Sequence, residues 1–162
     1  LRYNLSHFAA ARNYQHLQGM QHQINLAWQK KWGTLTLEPA LIWEHNNRQD
    51  KHGSHTFYSY SPEILTGQLQ VRWPMTPKWQ IHSGIALSRA EYPDNNQLTD
   101  IGGITKNEAR TYQRTTLSLG AHYQLHKNWQ IKLDYQTLRN NDKFELYSYN
   151  KNAFSAKINF SW

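Results

Sequence analysis

The stretch HYQLHKNWQIKLDYQ, residues 122–136, puts every aromatic and aliphatic side chain on an odd number. Tyr123, Leu125, Trp129, Ile131, Leu133 and Tyr135 alternate with His122, Gln124, Asn128, Gln130, Lys132, Asp134 and Gln136. A period of two belongs to a β-strand, whose successive side chains leave opposite faces of the pleat. A helix would wind the two sets around one cylinder and mix them. The stretch therefore predicts a strand with one oily and one wet face.

The pattern recurs. Period-two segments near residues 1–11, 19–31, 34–46, 63–73, 78–91, 109–125, 128–139 and 148–162 predict eight antiparallel strands in one domain. Their oily faces read Ile24, Leu26, Trp28; Leu35, Leu37, Leu41, Trp43; Leu65, Leu69, Val71, Trp73; and Trp79, Ile81, Ile85, Leu87. Later segments give Leu117, Leu119, Ala121, Tyr123, and finally Phe154, Ala156, Ile158, Phe160, Trp162. Leu1, Tyr3 and Leu5 make the faintest stripe. The wet faces carry many Gln, Asn, Ser and Thr, and the charges Arg72, Arg114, Lys132, Asp134 and Lys157.

Expected connections alternate in length. Short turns fall at residues 31–33, 74–77 and 126–128, and long polar connections near 46–62, 92–108 and 140–148. This asymmetry marks outer-membrane barrels, with short periplasmic turns and long outer loops. Trp28, Trp32, Trp73, Trp79, Trp129 and Trp162 map to the short-turn rim. Tyr58, Tyr60, Tyr92, Tyr112, Tyr147 and Tyr149 gather toward the long loops, predicting a second aromatic belt. A soluble lipocalin-type barrel alternates too, with its apolar face inward. The paired belts favour lipid outside.

Composition agrees. Mean hydropathy is only −0.86, yet the chain holds 7 Trp, 10 Tyr and 5 Phe, too many for a disordered polar segment. No stretch reaches the ~20 apolar residues of a spanning helix. A chain without cysteine can have no disulfide framework and no thiolate metal site. The net charge of +7 is scattered, its longest cluster being Lys30-Lys31, which fits anionic lipid headgroups and argues against nucleic acid.

The chain closes on FSAKINFSW, an alternating strand with a terminal aromatic. Ile158, Phe160 and Trp162 resemble the C-terminal signal that the barrel assembly machinery reads, with Lys157 where such endings often carry Gly. Leu146, Tyr147, Ser148, Tyr149, Asn150, Lys151 and Asn152, ahead of the last strand, resemble the closing motif of the Slam family, the surface lipoprotein assembly modifiers. The likeness runs back through NEARTYQRTTLSLGAHYQLHKNWQIKLDYQTLRNNDKFELYSYNKN and covers the last third of the chain. Ala153 stands where the motif's next residue is basic. The resemblance implies a helical-repeat periplasmic domain ahead of a barrel of about fourteen strands, which delivers lipoproteins to the bacterial surface. It makes this chain the C-terminal part of that barrel. Eight strands also suffice to close a small barrel alone, so a self-contained barrel with ligand-binding or adhesive loops is a second reading.

Spacing supplies no cofactor site. His52 and His55 in HGSH lack a third placed ligand, and they predict a solvated loop. Ile101–Thr105, IGGIT, predicts a turn, because no strand–loop–helix context for a phosphate surrounds it. His82 and His122 fall on the wet face near Ser118 and Asp134, while Ser83 has oily-face parity. A lipid A-modifying hydrolase built on these residues is a third reading. The leading expectation is a non-enzymatic outer-membrane barrel of Gram-negative bacteria. Its partners would be outer-membrane lipids and lipopolysaccharide, the assembly machinery and surface lipoprotein clients, and both chain ends would face the periplasm.

Overall fold

Each alternating segment forms a strand, and each long strand pairs with the next along the chain. The computed structural model describes residues 2–8, 19–48, 51–52, 57–58, 61–99 and 105–160. Its strands are β1 (Arg2–Phe8), β2 (Gly19–Ala27), β3 (Lys30–Trp32), β4 (Leu35–Arg48), β5 (Lys51–His52), β6 (Phe57–Tyr58), β7 (Glu63–Pro74), β8 (Trp79–Thr99), β9 (Thr105–His126), β10 (Trp129–Asp142) and β11 (Tyr149–Phe160). The main sheet runs β1-β2-β4-β7-β8-β9-β10-β11, with β3 also on β4. All its pairings are antiparallel. The sheet is open, with β1 and β11 as its two edges. No helix among the described residues is long and apolar enough to cross a membrane, a test that does not bear on strands.

β2 and β3 are one strand in register, since Ala27 faces Ala40 and Lys30 faces Leu37 with no slip between. The gap falls opposite Pro39. Trp28 N–H donates to the Pro39 carbonyl at 3.2 Å, but proline has no N–H to return to Trp28. The following turn has two residues, Gly33 and Thr34, between paired Trp32 and Leu35. Gly33 has φ +60, the conformation such hairpins require and glycine tolerates. At the β7–β8 turn the Thr76 hydroxyl accepts from Trp79 N–H at 3.0 Å. At the β9–β10 turn a register shift leaves one extra residue on β9. There the Gln124 amide donates to the carbonyls of His126 (2.7 Å) and Trp129 (3.2 Å).

Two expected loops hold more structure than their polar residues suggested. β8 and β9 continue through the predicted loop 92–108, pairing Asn95 with Ala109 out to Thr99 with Thr105. A shift between Glu91 and Asn95, around Pro93, marks where this ribbon leaves the regular ladder. In the 46–62 connection, β5 and β6 form a small hairpin of their own. The IGGIT turn, His55, Tyr60, Leu1 and Trp162 lie outside the described residues, apart from Thr105, which opens β9.

The two faces of the main sheet differ in exposure. Leu87 and Leu119 are each 56% exposed and Ile158 is 68% exposed on the apolar face. Ala40, Ala90, Tyr112 and Phe144 are the buried apolar residues among those described. Polar-face side chains such as Gln23, Glu38, Glu44, Gln68, His82, Arg114 and Asp134 are half-buried instead. The sheet therefore leaves its oily side more exposed than much of its wet side. That inverts the usual rule, by which a fold buries its apolar residues.

Candidate functional site

Two clusters on the polar face bring together residues far apart in sequence. The first is built on one row of the sheet: Arg72 faces His82, His82 faces Gly120, and Gly120 faces Asp134. His82 and Asp134 thus sit two strands apart with glycine between them. His82 Nε2 lies 2.9 Å from Asp134 Oδ1 across β9. A Cβ on Gly120 would overlap both the His82 ring and the Asp134 carboxylate. Glycine is required here for close approach. His122, two residues along β9, places its ring centroid 4.7 Å from that of His82. The cluster is half-buried, and His82 Nδ1 is buried with no hydrogen-bond partner among the described residues.

The expected wet-face charges are distributed around this row. Arg72 pairs with Glu38. Lys132 and Lys157 face each other directly in the β10–β11 ladder, while Asp134 faces Ser155. The three therefore form no alternating ladder: the carboxylate's partner is His82, because Gly120 opens the way across β9. Ser118 donates to the Gly84 carbonyl at 3.4 Å. Ser83 stands in the row of Val71 and Leu119 on the apolar face, so it shares no face with His82 and His122.

The second cluster lies beyond the apolar band, where the chain leaves β10 for its last connection. Arg110 donates from Nε and Nη2 to Asp142 Oδ2 at 2.9 and 2.8 Å. The Asp142 side chain is wholly buried and that of Arg110 17% exposed. The same guanidinium lies 4.1 Å from the Tyr147 ring centroid and 4.9 Å from that of Tyr92, within cation–π range. Burial pushes the Tyr92 phenol above its ordinary range, and Arg110 pulls partly against it. Burial also works against the Arg110 charge, yet the hydrogen bond it donates to Asp142 and the surrounding phenols raise its pKa overall.

This cluster pins the expected family motif. Asn140 donates to the Tyr147 carbonyl at 2.9 Å, and Ser148 Oγ accepts from Asp142 N–H at 2.9 Å. Phe144 N–H donates to Asp142 Oδ1 at 3.0 Å, and the Phe144 ring is 2% exposed. A single 3-10 turn, Glu145–Tyr147, follows. Leu146 is exposed, and Tyr149 and Lys151 return to the polar face as partners of Asn140 and Leu138. Asn150 and Asn152 share parity with Phe154, and Tyr135 Oη donates to Asn152 Oδ1 at 3.3 Å.

The aromatics divide between the two faces. Trp28, Trp32, Trp73, Trp79 and Trp129 are exposed at the short-turn end, with Trp79 on Tyr123 (4.6 Å) and Trp129 on Phe160 (4.8 Å). Tyr92, Tyr112 and Tyr147 turn instead to the polar-face side, where Arg110 and Arg114 meet them. They do not form the outer belt expected of them. Arg114 lies 5.0 Å from the Tyr112 centroid and donates to Asn140 Oδ1 at 3.4 Å. Ile158 and Phe160, expected to belong to a terminal assembly signal, are exposed on the apolar face. Comparison of the chain with protein-family models, with curated proteins and with solved structures finds no match.

Proposed function

We propose that this sheet is part of the wall of a bacterial outer-membrane β-barrel, and that the barrel helps lipoproteins reach the cell surface. The observation that carries the membrane reading is the inversion of the faces. Moving one exposed Leu, Ile or Phe from water into hydrocarbon gains about 2 kcal/mol, and the apolar face holds many. On β8 the apolar face runs from Trp79 to Leu87 before Arg89 and Glu91 interrupt it. That length of about nine residues is what a tilted strand needs to cross. The tryptophans at one end of the stripe suit a headgroup boundary, where lipopolysaccharide or phospholipid would be the neighbour.

The transport reading rests on the resemblance to the Slam family together with the open edges β1 and β11. Unpaired strand edges are not tolerated in hydrocarbon, so further strands would complete the wall. An edge that parts would offer N–H and C=O groups to an extended client segment. The client would meet the enclosed polar face, the short-turn side or that seam. The test measures a lipoprotein reporter on intact cells with and without the gene. Protease-accessible reporter should fall when the gene is absent, and equal display overturns the transport reading.

One observation favours a second reading. The β8–β9 ribbon continues well past the apolar stripe and offers a binding surface at that end. Loss of adhesion to a host surface on trimming residues 95–109, with reporter display intact, would select it.

A further inference from the structure

Three side chains from three adjacent strands converge above Gly120, and the transport reading uses none of them. His82 comes from β8, His122 from β9 and Asp134 from β10. One nitrogen or oxygen donor from each lies within 4.8 Å of the other two. All three are half-buried on the polar face.

We propose that His82, His122 and Asp134 bind a divalent transition-metal ion of the zinc type. Zinc holds imidazole nitrogen and carboxylate oxygen at ~2.0–2.2 Å in a tetrahedral arrangement. Donors in such a shell stand roughly 3–4 Å apart, so these three need only small rotations to share one ion. Two imidazoles and one carboxylate suit zinc, and also nickel or copper(II). Calcium and magnesium prefer shells made of oxygen. Three protein donors leave the fourth position to water.

Two further features support a ligand here. Gly120 removes the side chain that would otherwise fill the middle of the triangle. The His82 ring also gains only one partner from the protein, since its Nδ1 is buried and unmatched among the described residues. Opposing charges are present: Lys132 faces His122 in the ladder, and Lys157 faces Lys132. Asp134 is the carboxylate that offsets them. A bound ion would tie β8, β9 and β10 together across the ladder.

The test uses the whole protein extracted from membranes in detergent, stripped with a chelator and titrated with zinc against a competing dye. The expected result is one zinc tied to this cluster. His122→Gln and Asp134→Asn should each weaken it at least about tenfold, the scale seen even for outer-shell changes. His45→Gln, outside the cluster, should leave it unchanged. Cobalt should give the visible absorption of a four-coordinate ion, which zinc then quenches. Heat-modifiable gel mobility checks folding. Asp134→Asn keeps an oxygen for His82 and serves where a histidine variant does not fold. The proposal is overturned if the parent binds no zinc, or if the His82→Gln, His122→Gln double variant binds it equally well.

Discussion

Arg110 on β9 holds the wholly buried carboxylate of Asp142 on β10 with two nitrogens, at 2.9 and 2.8 Å. Removing one partner of a buried pair leaves an unpaired charge and costs about 3–5 kcal/mol. Arg110→Ala should therefore destabilise the sheet by about that much, measured by urea unfolding in lipid vesicles. The connection at 143–148 should also become sensitive to protease, because Phe144, Tyr147 and Ser148 all depend on this corner. A loss below about 1 kcal/mol would show that the pair behaves as a surface contact.

Gly120→Ala should cost about 1–3 kcal/mol, the usual range for overpacking. The added methyl strikes His82 and Asp134, not backbone. Combining it with His82→Ala should therefore recover part of the loss, the contact with Asp134 remaining. A double-mutant cycle measures this coupling, and strict additivity would contradict the geometry.

Leu119→Lys and Gln136→Lys report on opposite faces. Leu119 lies in mid-stripe on the apolar side, and Gln136 is opposite Ser118 on the polar side. In vesicles the first should lose about 2–4 kcal/mol and the second should stay within about 0.5 kcal/mol. The reverse ranking would place the oily face inside a soluble fold.

Tyr92 gives a pH signature. Burial raises its folded-state pKa above the ordinary phenol value, so the unfolded chain releases this proton first. Stability should then fall as pH rises past about 10 and level off only above the folded value. Tyr92→Phe should make that decline shallower in unfolding measurements across alkaline pH. Identical slopes would mean that the phenol is not enclosed.

Strands were the legible part of this sequence, because a half-wet sheet writes its period directly into residues such as those from 122 to 136. Strand ends were less so. Asn95 and Asn96 are poor strand formers, yet the hydrogen-bond ladder with β9 carries them along, since pairing outweighs propensity. Tyr92, Tyr112 and Tyr147 were placed near the correct end but on the wrong side, because nearness to a loop says nothing of the arginines that draw them in. The meeting of His82, His122 and Asp134 depends on register between three strands, which no spacing rule encodes. One signal was present all the same. Gly120 is an isolated glycine in the middle of a strand, and such a glycine often marks a place where another group comes close.

Pro39 leaves a quieter mark. Every residue along a paired strand normally contributes both halves of its rung, but here one half cannot exist. The join between β4 and the β2–β3 strand is thus perforated at a fixed height, like a stamp edge. If this curtain ever tears, the rip has a ready-made starting notch opposite Trp28.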